Sequence, residues 1–163
     1  MKNKILLLTL VLFTLLSISA KAQWKGFSVG PYLEAAIPKG DFAQSNRNGI
    51  GVGVAADIKL GGKLAATGSY GVIGFGRRPN EGGSSYVRVS ARPLRAGLKY
   101  KLPLVYLKME SGVVHFKNEG GSGLILSPGL GIRVFGLDVQ GSYESWLAEE
   151  GRSFASLKVA YHF

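Results

Sequence analysis

The sequence predicts an all-β protein: an eight-stranded antiparallel up-and-down transmembrane β-barrel, preceded by a cleaved signal peptide. Three observations predict it. The chain opens with a basic and then apolar segment of the export type. It has 24 glycines and almost no segment of helical periodicity. Apolar and charged residues alternate along most of the rest, as they do on the two faces of a strand.

The N-terminal segment has the pattern of a secretory signal peptide. Lys2 and Lys4 precede a mostly apolar run over residues 5–18, and a small-residue cleavage site ends at Ala22. A retained membrane helix is the alternative, but the run is shorter than the ~18 residues that a span needs. We therefore predict two parts, a signal peptide over 1–22 and an outer-membrane β-barrel domain over 23–163. The sequence contains no Cys, which excludes disulfides, a lipidated cysteine and thiolate metal sites.

The remaining chain divides into eight segments of strand character. The predicted strands lie near residues 26–37, 49–60, 64–76, 85–101, 105–116, 123–135, 137–147 and 153–163. Most are slightly longer than the ~9–11 residues that a tilted strand needs to cross a bilayer. Tight connections at 61–63, 102–104 and 136 alternate with longer polar ones at 38–48, 77–84, 117–122 and 148–152. Short periplasmic turns and longer external loops are typical of outer-membrane barrels.

The charged residues of the predicted strands share one face, and the other face carries apolar residues without any Lys, Arg, Asp or Glu. A soluble barrel with the faces exchanged would have to enclose all these apolar side chains, and eight strands leave too little room for them. A charge that faces lipid costs ~2–4 kcal/mol at mid-bilayer. The charged face is therefore predicted to line the lumen as a packed ion-pair network of Glu34, Asp57, Arg88, Arg92, Arg95, Lys99, Lys108, Glu110, Arg133, Asp138, Glu144 and Lys158. Lys59 and Lys101 have the same inward parity.

A functional alternative for part of this set is an anion path along Arg88, Arg92, Arg95 and Lys99. Eight strands rarely leave an aqueous route, so the sequence favours a plugged lumen over a narrow channel. Near the outer rim, four aromatic residues have inward parity: Phe75, Phe116, Trp146 and Phe154. Either these residues plug the mouth of the barrel, or the register shifts there.

Three prolines fall inside predicted strands, where each removes a ladder donor: Pro31, Pro93 and Pro128. Around Pro93 the outward residues change from odd positions, at Val87 and Val89, to even positions from Leu94 onwards. This change predicts one inserted residue, a β-bulge, near Arg92. For the other two prolines, a bulge and a lost ladder bond both remain open.

The last strand runs to the C-terminus with Tyr161 and Phe163 on its apolar face. This ending, the signal peptide, the segment GPYLEAAIPKGDF at 30–42 and the segment GIGVGVA at 49–55 carry a family likeness. The chain resembles the outer-membrane protein β-barrel domain family, including its PorT-like group, and small eight-stranded bacterial outer-membrane barrels generally. The resemblance implies a Gram-negative outer-membrane location in contact with outer-membrane lipids. It also implies that periplasmic chaperones and the barrel-assembly machinery, which reads Tyr161 and Phe163, take part in biogenesis.

The sequence predicts no enzyme, cofactor, metal site or nucleic-acid partner. The glycines of residues 49–53 recur at period two without a following helix, so they are predicted to make room in the lumen rather than to bind nucleotide. His115 and His162 lie at opposite strand ends, too far apart to share a metal. A lipid-modifying hydrolase could use His115 with Ser111, but no acid falls on their face. The predicted function is a structural or surface-binding role, as a monomer, with the narrow anion channel second and the hydrolase third.

Overall fold

The computed structural model describes residues 26–77, 89–117, 120–148 and 151–163. The elements are β1 Phe27–Lys39, the short helix α1 Asp41–Ser45, β2 Asn46–Gly61, β3 Leu64–Arg77, β4 Ser90–Lys101, β5 Tyr106–Phe116, β6 Ser122–Val134, β7 Leu137–Leu147 and β8 Arg152–Tyr161. Each strand pairs antiparallel with the next, and β8 returns to β1 to close the barrel. The predicted eight-stranded antiparallel barrel is confirmed. The predicted signal peptide, Val87 and Arg88 lie outside the described residues.

Among the described residues, no helix has the length and apolar character to cross a membrane.

The barrel has two different ends. At one end, which we call the turn end, tight turns join β2 to β3, β4 to β5 and β6 to β7. The last of these turns has φ of 50° at Phe135 and 84° at Gly136, and positive φ at both positions is the requirement of a type I′ hairpin. The opposite end, the loop end, carries α1 and the longer connections. Helix α1 was missed by the sequence analysis, which treated residues 38–48 as a loop.

The two faces of the wall differ as the charge pattern predicted. Leu33 and Leu107 point outward with 63 % and 51 % of their surface exposed, whereas Glu110 and Arg95 point inward with 0 % and 1 % exposed. The asymmetry extends over all eight strands, because exposed large apolar residues occur on each of them. The interior therefore holds charges, and the exterior is a nearly continuous apolar band.

The prediction for the start of β4 is wrong. Arg92 is exposed on the outer face, while Val89 and Ala91 are buried, with 4 % and 0 % exposed. No residue is inserted at Arg92, because Ala91 to Lys101 pair with β5 in unbroken register, so the predicted bulge is absent. The lumen at the loop end is apolar, and Val89 faces that interior rather than lipid.

Each strand proline is accommodated by lost ladder pairs on one side, without a change of register. For Pro93, the pairing of β3 with β4 stops at Tyr70–Leu94 and resumes at Ile73–Ala91, while Pro93 still pairs with β5. Around Pro31 the pairing of β1 with β8 is likewise interrupted and resumes in the same register. The same holds for the pairing of β6 with β7 around Pro128. All three prolines are therefore accommodated by lost ladder bonds, and none of them by a bulge.

Glycines make room for lumen aromatics, as predicted for residues 49–53. A Cβ on Gly53 would lie 2.7 Å from the Tyr32 ring, and one on Gly71 would lie 2.3 Å from the Tyr32 hydroxyl. Adjacent glycines on β2 and β3 thus form the slot that admits this ring, and a side chain at either position would displace it.

Candidate functional site

The lumen is the candidate functional site, and its central part is organised by Arg95 on β4. The Arg95 Nε donates to Glu144 Oε2 at 2.8 Å and its Nη2 donates to Oε1 at 2.9 Å. Glu34 Oε2 lies 3.4 Å from the same Nη2. The Tyr32 hydroxyl is 3.5 Å from Nη1, and the Lys158 ammonium lies 4.6 Å from the Tyr32 ring centroid. This central cluster of Tyr32, Glu34, Arg95, Glu144 and Lys158 ties β4 to β1 and β7 across the interior.

A second group of charges fills the lumen nearer the turn end. Lys99 Nζ lies 2.7 Å from Asp57 Oδ2 and 3.3 Å from Asp138 Oδ2. Arg133 lies 2.6 Å from Asp57 Oδ2 and donates through Nε to Asp138 Oδ2 at 2.8 Å. The Tyr106 hydroxyl donates to Asp138 Oδ1. Two acids and two bases thus neutralise each other in this turn-end cluster of Asp57, Lys99, Tyr106, Arg133 and Asp138.

His162 lies just beyond β8 against the turn-end cluster, with its Nε2 3.9 Å from Asp138 Oδ2. The imidazole is buried, with 4 % of its side chain exposed, so His162 covers the turn-end cluster on the side of the closing strand.

Asp57, Asp138 and His162 form a group of possible metal ligands whose donor atoms lie within 4.8 Å of one another. Lys99 and Arg133 contact the carboxylates of both aspartates. Their ammonium and guanidinium groups take the positions in which a cation would balance the two acids. The group is better described as part of the ion-pair cluster than as a metal centre.

Lys108 and Glu110 on β5 form a further buried pair, with Lys108 Nζ 3.1 Å from Glu110 Oε2. Lys108 is the one ion-pair partner of Glu110 among the described residues, whereas Glu144 binds both Arg95 and the Trp146 indole, so Glu110 is held by fewer contacts than Glu144. Its side chain is fully buried, with 0 % exposed.

Aromatic rings close the loop end of the lumen. Trp146, fully buried, contacts the rings of Phe75, Phe116 and Phe154 at centroid distances of 5.9, 5.5 and 5.1 Å. Phe42 of α1 adds an edge contact to Phe75 at 4.8 Å. Of the two alternatives left open by the sequence, the inward-facing cluster is the one observed, and we call these five residues the aromatic plug. Phe42 was missed, although a lone large apolar residue in a polar loop is a signal that the loop packs inward.

The aromatic plug and the central cluster are joined by one hydrogen bond. Trp146 Nε1 donates to Glu144 Oε1 at 2.5 Å, so the same carboxylate holds Arg95 and the indole. At the loop end, the guanidinium of the buried Arg152 lies 4.5 Å from the Phe116 ring centroid, within the range of a cation–π contact.

The turn-end cluster borders a small cavity and a larger pocket. A cavity of about 10 Å³, lined in part by Asp57, Lys108 and Lys158, is no larger than one water molecule. A pocket of about 240 Å³ opens at the turn end, where Lys59 and Lys101 are exposed at the mouth. The buried side chains of the central and turn-end clusters lie between this mouth and the aromatic plug.

The structure places most of the predicted lumen set together. Buried in the interior are Glu34, Asp57, Arg95, Lys99, Lys108, Glu110, Asp138, Glu144 and Lys158. Arg133 is inside but partly exposed, with 20 % of its side chain accessible at the mouth. Arg92 is outside, as described above. The predicted anion path along Arg88, Arg92, Arg95 and Lys99 is therefore interrupted at Arg92, and Arg88 lies outside the described residues.

The C-terminal residues lie in the wall to the end of the chain. Phe163 and Val29 exchange both backbone hydrogen bonds, at 3.2 and 3.0 Å. Tyr161 is 50 % exposed on the outer face, and its ring centroid lies 6.2 Å from that of Phe163. The two aromatic residues are thus held in the seam between β8 and β1.

His115 is exposed on the outer face, as predicted, but its hydrogen-bond partner is not Ser111. His115 Nδ1 lies 2.7 Å from Ser122 Oγ of β6. The residue opposite His115 on β4 is Arg92, a cation where a hydrolytic triad requires a carboxylate. This arrangement gives no support to a serine hydrolase at that position.

Comparison with solved structures identifies the architecture. The chain superimposes on Ail of Yersinia pestis in a phospholipid bilayer nanodisc with a TM-score of 0.60 and 17% identity, covering 85% of this chain and 100% of that one. The fold is that of the small outer-membrane β-barrels. The N-terminal β-barrel domain of Pseudomonas aeruginosa OprF gives a TM-score of 0.55 at 17% identity over 83% of this chain and 97% of that one. Neisserial surface protein A gives a TM-score of 0.55 at 15% identity, covering 85% of this chain and 98% of that one.

At these identities the likeness concerns the fold alone. No protein-family model matches the sequence, and no curated protein matches it.

Proposed function

We propose that this chain is an integral outer-membrane barrel with a plugged, charged lumen and a structural or surface-binding role. The observation that carries the proposal is the opposite polarity of the two faces of a closed eight-stranded wall. An apolar exterior is stable in hydrocarbon, and paired charges fit a narrow interior. In this orientation the turn end is periplasmic and the loop end faces outward.

The biogenesis partners belong to the same proposal. Tyr161 and Phe163 serve as the signal for the barrel-assembly machinery, after export directed by residues 1–22 and escort by periplasmic chaperones. The aromatic rings of both residues lie at the end of the closing strand, which supports this role. Membership of the PorT-like group rests on the sequence segments at 30–42 and 49–55 and stays a prediction.

Cell fractionation with a heat-modifiable gel shift tests the location. We expect the protein in the outer-membrane fraction, migrating faster in unheated than in boiled samples, because a closed barrel resists unfolding by detergent. A soluble protein in the periplasmic fraction would overturn the proposal.

Conductance in planar bilayers separates the plugged barrel from the narrow anion channel. We expect no steady ion current from the purified barrel, because Arg95 and Glu144 cross the lumen beneath the aromatic plug. Anion-selective current that persists in the folded protein would favour the channel. The matched control is an outer-membrane porin reconstituted in the same bilayer, which must conduct.

A further inference from the structure

One part of the apolar exterior carries polar and basic groups. Arg92 of β4 lies directly opposite His115 of β5, and both side chains are exposed. Lys117, exposed just beyond β5, donates its backbone N–H to Ser90 O at 2.8 Å. Ser122 of β6 binds His115. We call Arg92, His115, Lys117 and Ser122 the outer basic cluster.

None of the described residues neutralises this cluster. Arg92 and Lys117 have no ion-pair partner in the described part of the chain, although each buried cation of the central and turn-end clusters lies near an acid. Opposed side chains on paired strands lie about 4.5–5.5 Å apart at Cβ, so Arg92 and His115 can hold one group between them. Near the membrane interface a charge on the lipid face costs only ~0–1 kcal/mol, which makes this position tolerable for Arg92.

The neighbouring residues define what such a ligand must look like. One step toward the turn end on the same face, Leu94 and Leu124 are 52 % and 59 % exposed. A ligand on this surface therefore meets cationic donors at the loop end and an apolar surface below them. An amphiphile with an anionic headgroup matches both parts, and phosphate suits the planar donor pair of an arginine.

We propose that the outer basic cluster binds the phosphate-bearing headgroup of an outer-leaflet lipid, whose acyl chains lie along Leu94 and Leu124. The inference rests on the proposed membrane location and adds to it a specific lipid site. Arg92 supplies a bidentate contact to the phosphate, Lys117 a second charge, and the His115–Ser122 pair a hydrogen-bond donor. The lumen takes no part in this binding.

The test reconstitutes the full protein in nanodiscs of phosphatidylcholine with a minor fraction of phosphatidic acid. Lipids that remain bound after transfer to mild detergent are counted by native mass spectrometry. We expect preferential retention of phosphatidic acid by the unaltered protein, and a loss of about tenfold in that preference for the double variant Arg92→Gln, Lys117→Gln.

The control is the double variant Lys39→Gln, Arg47→Gln. It removes the same charge from exposed positions at the loop end of β1 and β2, and β1 lies diametrically opposite β5 in the barrel. We expect it to keep the preference. An equal loss in both double variants would mean that net charge, and not the outer basic cluster, attracts the lipid, and would overturn the proposal.

Two further outcomes separate the causes of failure. Protein that does not enter nanodiscs, or shows no heat-modifiable shift, overturns the proposed function and this site with it. Protein that inserts without preference for phosphatidic acid overturns the site alone. Displacement of the bound lipid by inorganic phosphate would assign the site to free phosphate and reject the lipid.

Discussion

Replacing Glu144 by Gln is expected to lower the free energy of unfolding of the barrel by about 3–5 kcal/mol, the cost of breaking a buried ion pair from one side. The amide keeps the size of the side chain and removes its charge. Arg95 then retains only Glu34, at 3.4 Å, as an ion-pair partner among the described residues. The measurement is equilibrium urea unfolding in lipid vesicles, with the folded fraction determined on unheated gels.

Glu110→Gln is the matched control, because Glu110 is as deeply buried as Glu144 and the chemical change is the same. Its carboxylate contacts Lys108 alone among the described bases, at 3.1 Å, and an amide oxygen can accept a hydrogen bond from that ammonium. We expect a loss of about 1–2 kcal/mol. Equal losses for the two variants would contradict a central role for the pairing of Arg95 with Glu144.

Replacing Trp146 by Ala is expected to cost about 3–5 kcal/mol, as large-to-small changes of buried aromatic residues do. The indole is fully buried among Phe75, Phe116 and Phe154, so its removal leaves a cavity that these rings can only partly fill. It also removes the N–H that bonds Glu144. The same urea titration measures the loss.

Leu147→Ala is the control for Trp146, because the next residue in the chain points to the opposite face and is 61 % exposed. Acyl chains fill the space that the smaller side chain leaves, and they are as apolar as leucine. We therefore expect a change below about 1 kcal/mol. The aromatic plug would not be a stabilising core if Trp146→Ala cost no more than this control.

Much of the fold follows from period-two alternation, because a strand in a barrel wall has one lipid face and one lumen face. The pattern alone places Glu34, Arg95 and Glu144 on a common interior surface. The alternation cannot predict that Arg95 forms ion pairs with both Glu34 and Glu144. These pairs cross between strands that are not neighbours, and their match depends on the register and closure of the whole wall.

The misassignment of Arg92 has a physical reason. Alternation distinguishes lumen from lipid only where the two environments differ in polarity. At the loop end the interior is apolar, so Val89 and Ala91 are as suitable inside as outside. The apparent change of parity at Pro93 was a change in the lumen, from apolar to charged, and not an extra residue in the strand.

Because the interior is apolar at the loop end, strands there are apolar on both faces. Val114 and Ile125 point into the barrel and are buried, while Leu124 and Leu126 point out. Before the barrel closes, such stretches expose apolar residues on both faces. They also have the high β-propensity and low charge of segments that self-associate. We therefore expect the unfolded chain to be prone to aggregation at residues 113–114 and 124–126.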